Sequence, residues 1–136
     1  METLVQTVEN DVKRHLYIKK FMEFVNKRAH RITFLGLGQL ANKKVDIREE
    51  YAKFLKHSKL DAKNKELNQE VVDFLMNWTK DKKYEMTYLD LYEASRKCYD
   101  ESTSRMFNHL EKRPGMFRDI YLNYFPSKNK DMGMEL

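Results

Sequence analysis

A mainly α fold is predicted by three observations: apolar residues recur three and four apart over long stretches, two capping motifs precede such stretches, and the few glycines and prolines fall between them. The expected architecture is one domain over residues 1–136: a long amphipathic basic helix at 1–31, a helical core at 46–79, and a helix-turn-helix with a small β-hairpin at 86–136. An all-α bundle is the alternative.

Residues 3 to about 30 hold no Gly or Pro, and Val5, Val8, Val12, Leu16, then Ile18, Met22, Val25, Ala29 keep the helical step. Residues 32–44 contain two of the four glycines and turn apolar before a polar exit, which reads as a connector with a buried middle. Asp46 with Glu49 three residues on forms an acidic capping box, and Ile47, Tyr51, Phe54 and Leu55 give the next helix its buried stripe to about Ser58. Leu67, Val71, Phe74, Leu75 and Trp78 continue the period in a helix starting near Asp61 or Ala62, with Trp78 as a core anchor.

Thr87 with Asp90 repeats the capping pattern for a helix ending near Cys98, and Asp100 caps the next one. Over residues 101–113 Thr103, Met106, Phe107 and Leu110 share one arc, while Glu101, Ser104, Arg105, Asn108 and Lys112 share the other. Pro114-Gly115 stops this helix. The following segment fits two periods: Phe117, Ile120, Tyr121 and Tyr124 as helix, or Ile120, Leu122 and Tyr124 as strand, and its aromatic and β-branched content favours strand. The 126–131 stretch is turn chemistry, with residues 132–136 returning as a second strand.

The net charge of +5 and pI near 9.2 favour an anionic partner. The excess is concentrated in residues 13–31, where Lys13, Arg14, Lys19, Lys20, Lys27, Arg28 and Arg31 face Glu23 alone. Interleaved with Tyr17, Phe21 and Phe24, these cations suit an acidic protein groove, a lipid surface or nucleic acid, against the plainer role of a core helix with a charged outside. No apolar run is long enough for a membrane span, the first residues show no leader pattern, and the single Cys98 has no disulfide partner in the chain, so a cytoplasmic setting is expected.

Catalytic chemistry finds little support, and no cofactor is expected. His15, His30, His57 and His109 are far apart, with no metal-ligand spacing. Each is expected at the surface or its boundary. Ser102 and Ser104 sit at helix offsets that place neither hydroxyl beside His109, and Arg105 with His109 is an ordinary i, i+4 pair. Cys98 reads as a small buried hydrophobe. Residues 36–41, Gly-Leu-Gly-Gln-Leu-Ala, match the dinucleotide fingerprint in letters, but the acid-bearing parallel strand that would give it meaning does not follow.

Residues 70–136 resemble the winged-helix domain of bacterial transcription regulators of the MarR and SarA type. The resemblance rests on Met-Thr-Tyr-Leu-Asp-Leu-Tyr-Glu-Ala as supporting helix, Ser-Thr-Ser-Arg-Met-Phe-Asn-His-Leu-Glu-Lys-Arg-Pro-Gly as recognition helix, and Pro-Ser-Lys-Asn-Lys-Asp as wing tip. It implies a non-enzymatic, sequence-selective binder of double-stranded DNA, acting as a homodimer in which the long first helix supplies the dimer contact. Apart from the resemblance, Arg105 and Asn108 are the side-chain types that read bases, Ser104 and Lys112 suit groove or backbone, and Arg113, Lys128 and Lys130 suit phosphates. The alternative function is an all-helical module that inhibits or recruits a protein partner, with residues 116–125 as a further helix and Met and aromatic side chains forming an adaptable surface.

Overall fold

The computed structural model describes residues 3–36, 38–60, 63–79 and 82–126. Its elements are α1 (Leu4–Leu35), α2 (Gln39–Asn42), β1 (Lys44–Asp46), α3 (Ile47–Ser58), α4 (Lys65–Met76), β2 (Glu85–Thr87), α5 (Tyr88–Lys112) and α6 (Pro114–Tyr124). The fold is mainly α, as the periodicity predicts, and among the described residues it holds one small two-stranded antiparallel sheet.

α1 is the axis of the molecule, about 48 Å long at ~1.5 Å per residue. Thr3 opens it with a full capping box: the Thr3 hydroxyl accepts from Gln6 N at 3.1 Å and the Gln6 side chain accepts from Thr3 N at 3.0 Å. Val8, Val12, Ile18, Phe21, Val25, Ala29 and Ile32 form its buried stripe. The helix runs five residues past the expected end near 30, to Leu35, because that stripe continues through Ile32 and no breaker intervenes before Gly36. Gly38 then takes φ 85°, a left-handed conformation that costs a glycine little, and starts the short α2.

α3 and α4 cover one end of α1. Asp46 caps α3 as expected, but through Arg48 N at 2.8 Å, and the Arg48 guanidinium folds back onto the same carboxylate at 2.8 Å and over the Tyr84 ring at 4.1 Å. α4 is capped by Asn64, whose side chain accepts from Leu67 N at 3.1 Å, a few residues after the expected start. Phe21, Phe24, Tyr51 and Phe54 meet edge-to-face or tilted at 5.3 to 5.8 Å, favoured geometries for aromatic quadrupoles, and the buried Tyr51 hydroxyl donates to Asn68 Oδ1 at 2.9 Å. Trp78 is not a core anchor. It is 40% exposed, and its indole N–H donates to Glu101 at 3.1 Å.

The largest departure from expectation lies in α5. Thr87 caps it through Asp90 N at 3.2 Å, as predicted, but the helix then runs unbroken through residues 98–101, so the expected turn between supporting and recognition helices is absent. The reason is visible in its buried positions. Leu91, Ala94, Ser95, Cys98, Ser102 and Met106 form one continuous inward stripe, no Gly or Pro interrupts it, and Asp100 faces solvent.

α6 replaces the expected strand. Pro114 occupies its first turn, where a fixed φ and a missing N–H cost nothing, and Phe117 and Ile120 bury at helical spacing. The strand pair lies elsewhere: β1 and β2 pair antiparallel with Lys44 opposite Thr87, Val45 opposite Met86 and Asp46 opposite Glu85. Tyr88 N donates to the Lys43 carbonyl at 2.7 Å and Ile47 N to the Tyr84 carbonyl at 2.9 Å, so the pair ties together the starts of α3 and α5. Residues 127–136, which hold most of the expected turn and the returning strand expected at 132–136, lie outside the described residues.

Two apolar clusters result. The larger joins the middle and end of α1 to α3, α4 and the first half of α5; the smaller, Val8, Val12, Met106, Phe117 and Ile120, holds α6 in place. Phe54, 1% exposed, is central to the larger one. Replacing Phe54 by Ala is expected to cost about 3–5 kcal/mol, read as a fall in the urea midpoint at unchanged slope.

Candidate functional site

Ser104, Arg105, Asn108 and Lys112 all lie on the exposed face of α5, as their helical spacing predicts, and Arg113 is half-buried at the helix end. Lys128 and Lys130 lie outside the described residues. The inward arc is also the expected one, except that Phe107 remains 47% exposed.

The chemistry of that face differs from a groove reader's. The Arg105 guanidinium lies 3.7 Å from Glu101, 3.9 Å from Asp11 and 5.1 Å over the Phe74 ring, so it already has intramolecular partners. Along the exposed side of α5 Glu93, Asp100 and Glu111 alternate with Arg96, Lys97 and Lys112, leaving no concentration of positive charge for a phosphate backbone. α5 is also packed along most of its length on α1 and does not project from the body.

Asp11 is the centre of a polar seam that sequence reasoning missed. At 16% exposure it accepts from Arg14 at 2.9 Å and pairs with His109 Nε2 at 2.9 Å, while Arg14 reaches Glu70 at 3.0 Å. This knits α1, α4 and α5 together. Nothing local in the sequence signals a pairing between residues so distant along the chain.

His15, expected at the surface, is buried at 5% exposure. Its Nδ1 lies 2.7 Å from the Ser102 hydroxyl, and its ring stacks on Tyr99 at 5.6 Å. Burial, assisted by the Lys19 charge, lowers its pKa from 6.5 to about 4, so the ring is neutral near neutral pH. Ser102, weighed against His109 in the sequence, therefore belongs to His15. Cys98 is fully buried, and burial pushes its thiol pKa far up, which removes a reactive thiolate.

The basic N-terminal helix divides into two sets. Tyr17 and Phe21 are buried, Arg14 is ion-paired, and Lys13 and Lys19 lie over the Tyr124 and Phe125 rings at 5.7 and 5.6 Å. Arg28 lies 3.2 Å from the buried Glu50 carboxylate, which Lys53 also approaches at 3.5 Å. Lys20, Lys27 and Arg31 are exposed, with no ion pair among the described residues. With the half-buried Phe24 and with Phe34, which is 90% exposed, they form one stripe at steps of four and three: 20, 24, 27, 31, 34.

Gly36 and Gly38 separate α1 from a four-residue helix, and the strand that follows pairs antiparallel, so the dinucleotide arrangement is not formed. Among the described residues no group of three His, Cys, Asp or Glu side chains is placed to hold a metal ion, and no helix is long and apolar enough to cross a membrane. No protein-family model, no curated protein and no solved structure matches this chain.

The unfolded chain protonates His15 near its ordinary value of 6.5 and the folded chain only near 4, so its stabilising effect is complete above 6.5 and is lost as pH falls through that window. The loss is about 3 kcal/mol, and His15→Gln is expected to flatten the pH dependence of the urea midpoint over the same range. Asp11→Asn is expected to destabilise by about 2 kcal/mol, since charge-assisted partners on two elements are weakened. Arg105→Ala, at the exposed edge, costs less than about 1 kcal/mol in the same assay.

Proposed function

We propose that this protein is a non-enzymatic helical interaction module that docks on an acidic protein surface through the 20–34 stripe of α1. The observation that carries this reading is Phe34, a large aromatic side chain left 90% exposed at the end of a row of cations without ion-pair partners among the described residues. Keeping such a ring in water forgoes the stabilisation of burial, of order 2 kcal/mol, which contact with a partner recovers. Aromatic and Arg side chains in one patch are the usual anchors of protein interfaces.

The surrounding charge gives the partner its sign. Glu50 is covered by Arg28 and Lys53, and Glu23 is the one acidic side chain within the span of the stripe, so Lys20, Lys27 and Arg31 present net positive charge. Such a patch accelerates encounter with an acidic surface and fixes orientation, while Phe34 supplies the desolvated contact. Double-stranded DNA read by α5 is the weaker proposal, because Arg105 is engaged within the fold and the outward charges of α5 alternate.

The test is a photoreactive residue at position 27, with the crosslinked partner identified and its contact peptide sequenced. Phe34→Ala and the charge reversal of Lys20 and Arg31 to Glu are each expected to abolish the crosslink while leaving the thermal unfolding transition in place, and the contact peptide is expected to be rich in Asp and Glu. Fluorescence anisotropy on mixed duplex DNA supplies the contrary outcome. Binding that Phe34→Ala leaves intact and Arg105→Ala weakens would overturn the protein-docking reading in favour of DNA.

A further inference from the structure

A second feature lies between α1, the latter half of α5 and α6, where there is a small, partly open cleft of about 40 Å³. Its chemistry is divided. Its lining brings His15, Lys19 and Thr103 together with aromatic and apolar side chains, chiefly Phe107, Leu110, Phe117 and Tyr121. Among the described residues no carboxylate lines it.

The polar groups of the lining are unusual in what they leave unpaired. The Thr103 hydroxyl is buried and has no hydrogen-bond partner among the described residues, which is costly for a group that forgoes water. His15, at 5% exposure, is hydrogen-bonded at Nδ1 by Ser102 at 2.7 Å, and its Nε2 has no partner among the described residues. When the Ser102 hydroxyl donates to Nδ1, the neutral ring carries its own proton on Nε2, the tautomer in which it can donate to an oxygen in the cleft. Lys19 adds an ammonium that lies over the face of Phe125 at 5.6 Å.

We propose that this cleft binds a small apolar carboxylic acid, its carboxylate taken by Lys19, His15 and Thr103 and its apolar part lying against Phe107, Phe117 and Tyr121. Each unpaired donor then meets an oxygen acceptor, and the ammonium meets a negative charge partly screened from water, where such contacts are stronger than at an open surface. A few converging polar groups in an aromatic lining are the pattern of small-molecule sites. Recognition is non-covalent. It does not rest on the protein-docking reading, and either may fail without the other.

Benzoate and hexanoate are suitable probes for the full chain, with benzamide as the uncharged control, followed by proton–carbon correlation spectra of the His and aromatic rings. The expected result is a saturable shift of the His15 ring together with Phe117 and Tyr121 by at least one acid, with benzamide about tenfold weaker. Lys19→Met and Thr103→Val are each expected to weaken the acid several-fold with the unfolding midpoint little changed, and Lys19→Arg to restore it. No saturable shift at these rings, equal binding of benzamide, or indifference to both substitutions would overturn the proposal. Shifts confined to the Lys20, Lys27 and Arg31 face would also overturn it, showing only general attraction of anions.

Discussion

The seam between α1 and α5 is the constraint on which the other elements depend. Each helix buries an unbroken stripe against the other, and neither stripe could be covered by the shorter helices alone. Apolar contact by itself would tolerate sliding by a turn, but the seam also holds matched polar groups: Asp11 with His109, His15 with Ser102, and the Tyr88 hydroxyl donating to the Val25 carbonyl at 3.3 Å. Displacing the helices by one turn would strand these groups away from water, at about 1–3 kcal/mol for each buried one. The register is therefore set by polar matching and the strength by burial. α3 and α4 complete the seam at one end and α6 at the other.

Much of this is legible in the residues. The stripe of α1, the Asp46 and Thr87 caps, and the inward Ile47, Tyr51 and Phe54 follow from spacing alone, because helix periodicity and capping are local properties. Where expectation fails, a non-local term decides. Asp100 was a fair cap by composition, but Cys98 and Ser102 on either side of it are both needed against α1, and that burial keeps α5 in one piece. In residues 116–125 β propensity was outweighed by Pro114 and by the fit of Phe117 and Ile120 onto Val8 and Val12. Trp78 went outward because Glu101 on another helix receives its N–H.

The candidate functional surfaces were legible only in part. Spacing placed Ser104, Arg105, Asn108 and Lys112 on one exposed face, yet nothing in the order of residues discloses that Asp11 and Phe74 attend Arg105. The basic bias of residues 13–31 was plain, but its division into inward-engaged cations and the outward set of Lys20, Lys27 and Arg31 depends on where α6 and α3 lie. Electrostatic function here is a property of the assembled surface, and composition reports only its sum.

The short β1–β2 pair has an architectural corollary. Because its two strands lie side by side at the base of α3 and α4, residues 47–84 form an excursion that leaves and rejoins the body at a single gate. Length changes just after Lys59, the exposed residue that leaves α3 in a left-handed conformation, need not propagate into the α1–α5 pairing, since the gate fixes both ends of the excursion. That position is the natural place for this scaffold to accept an inserted peptide or a grafted loop.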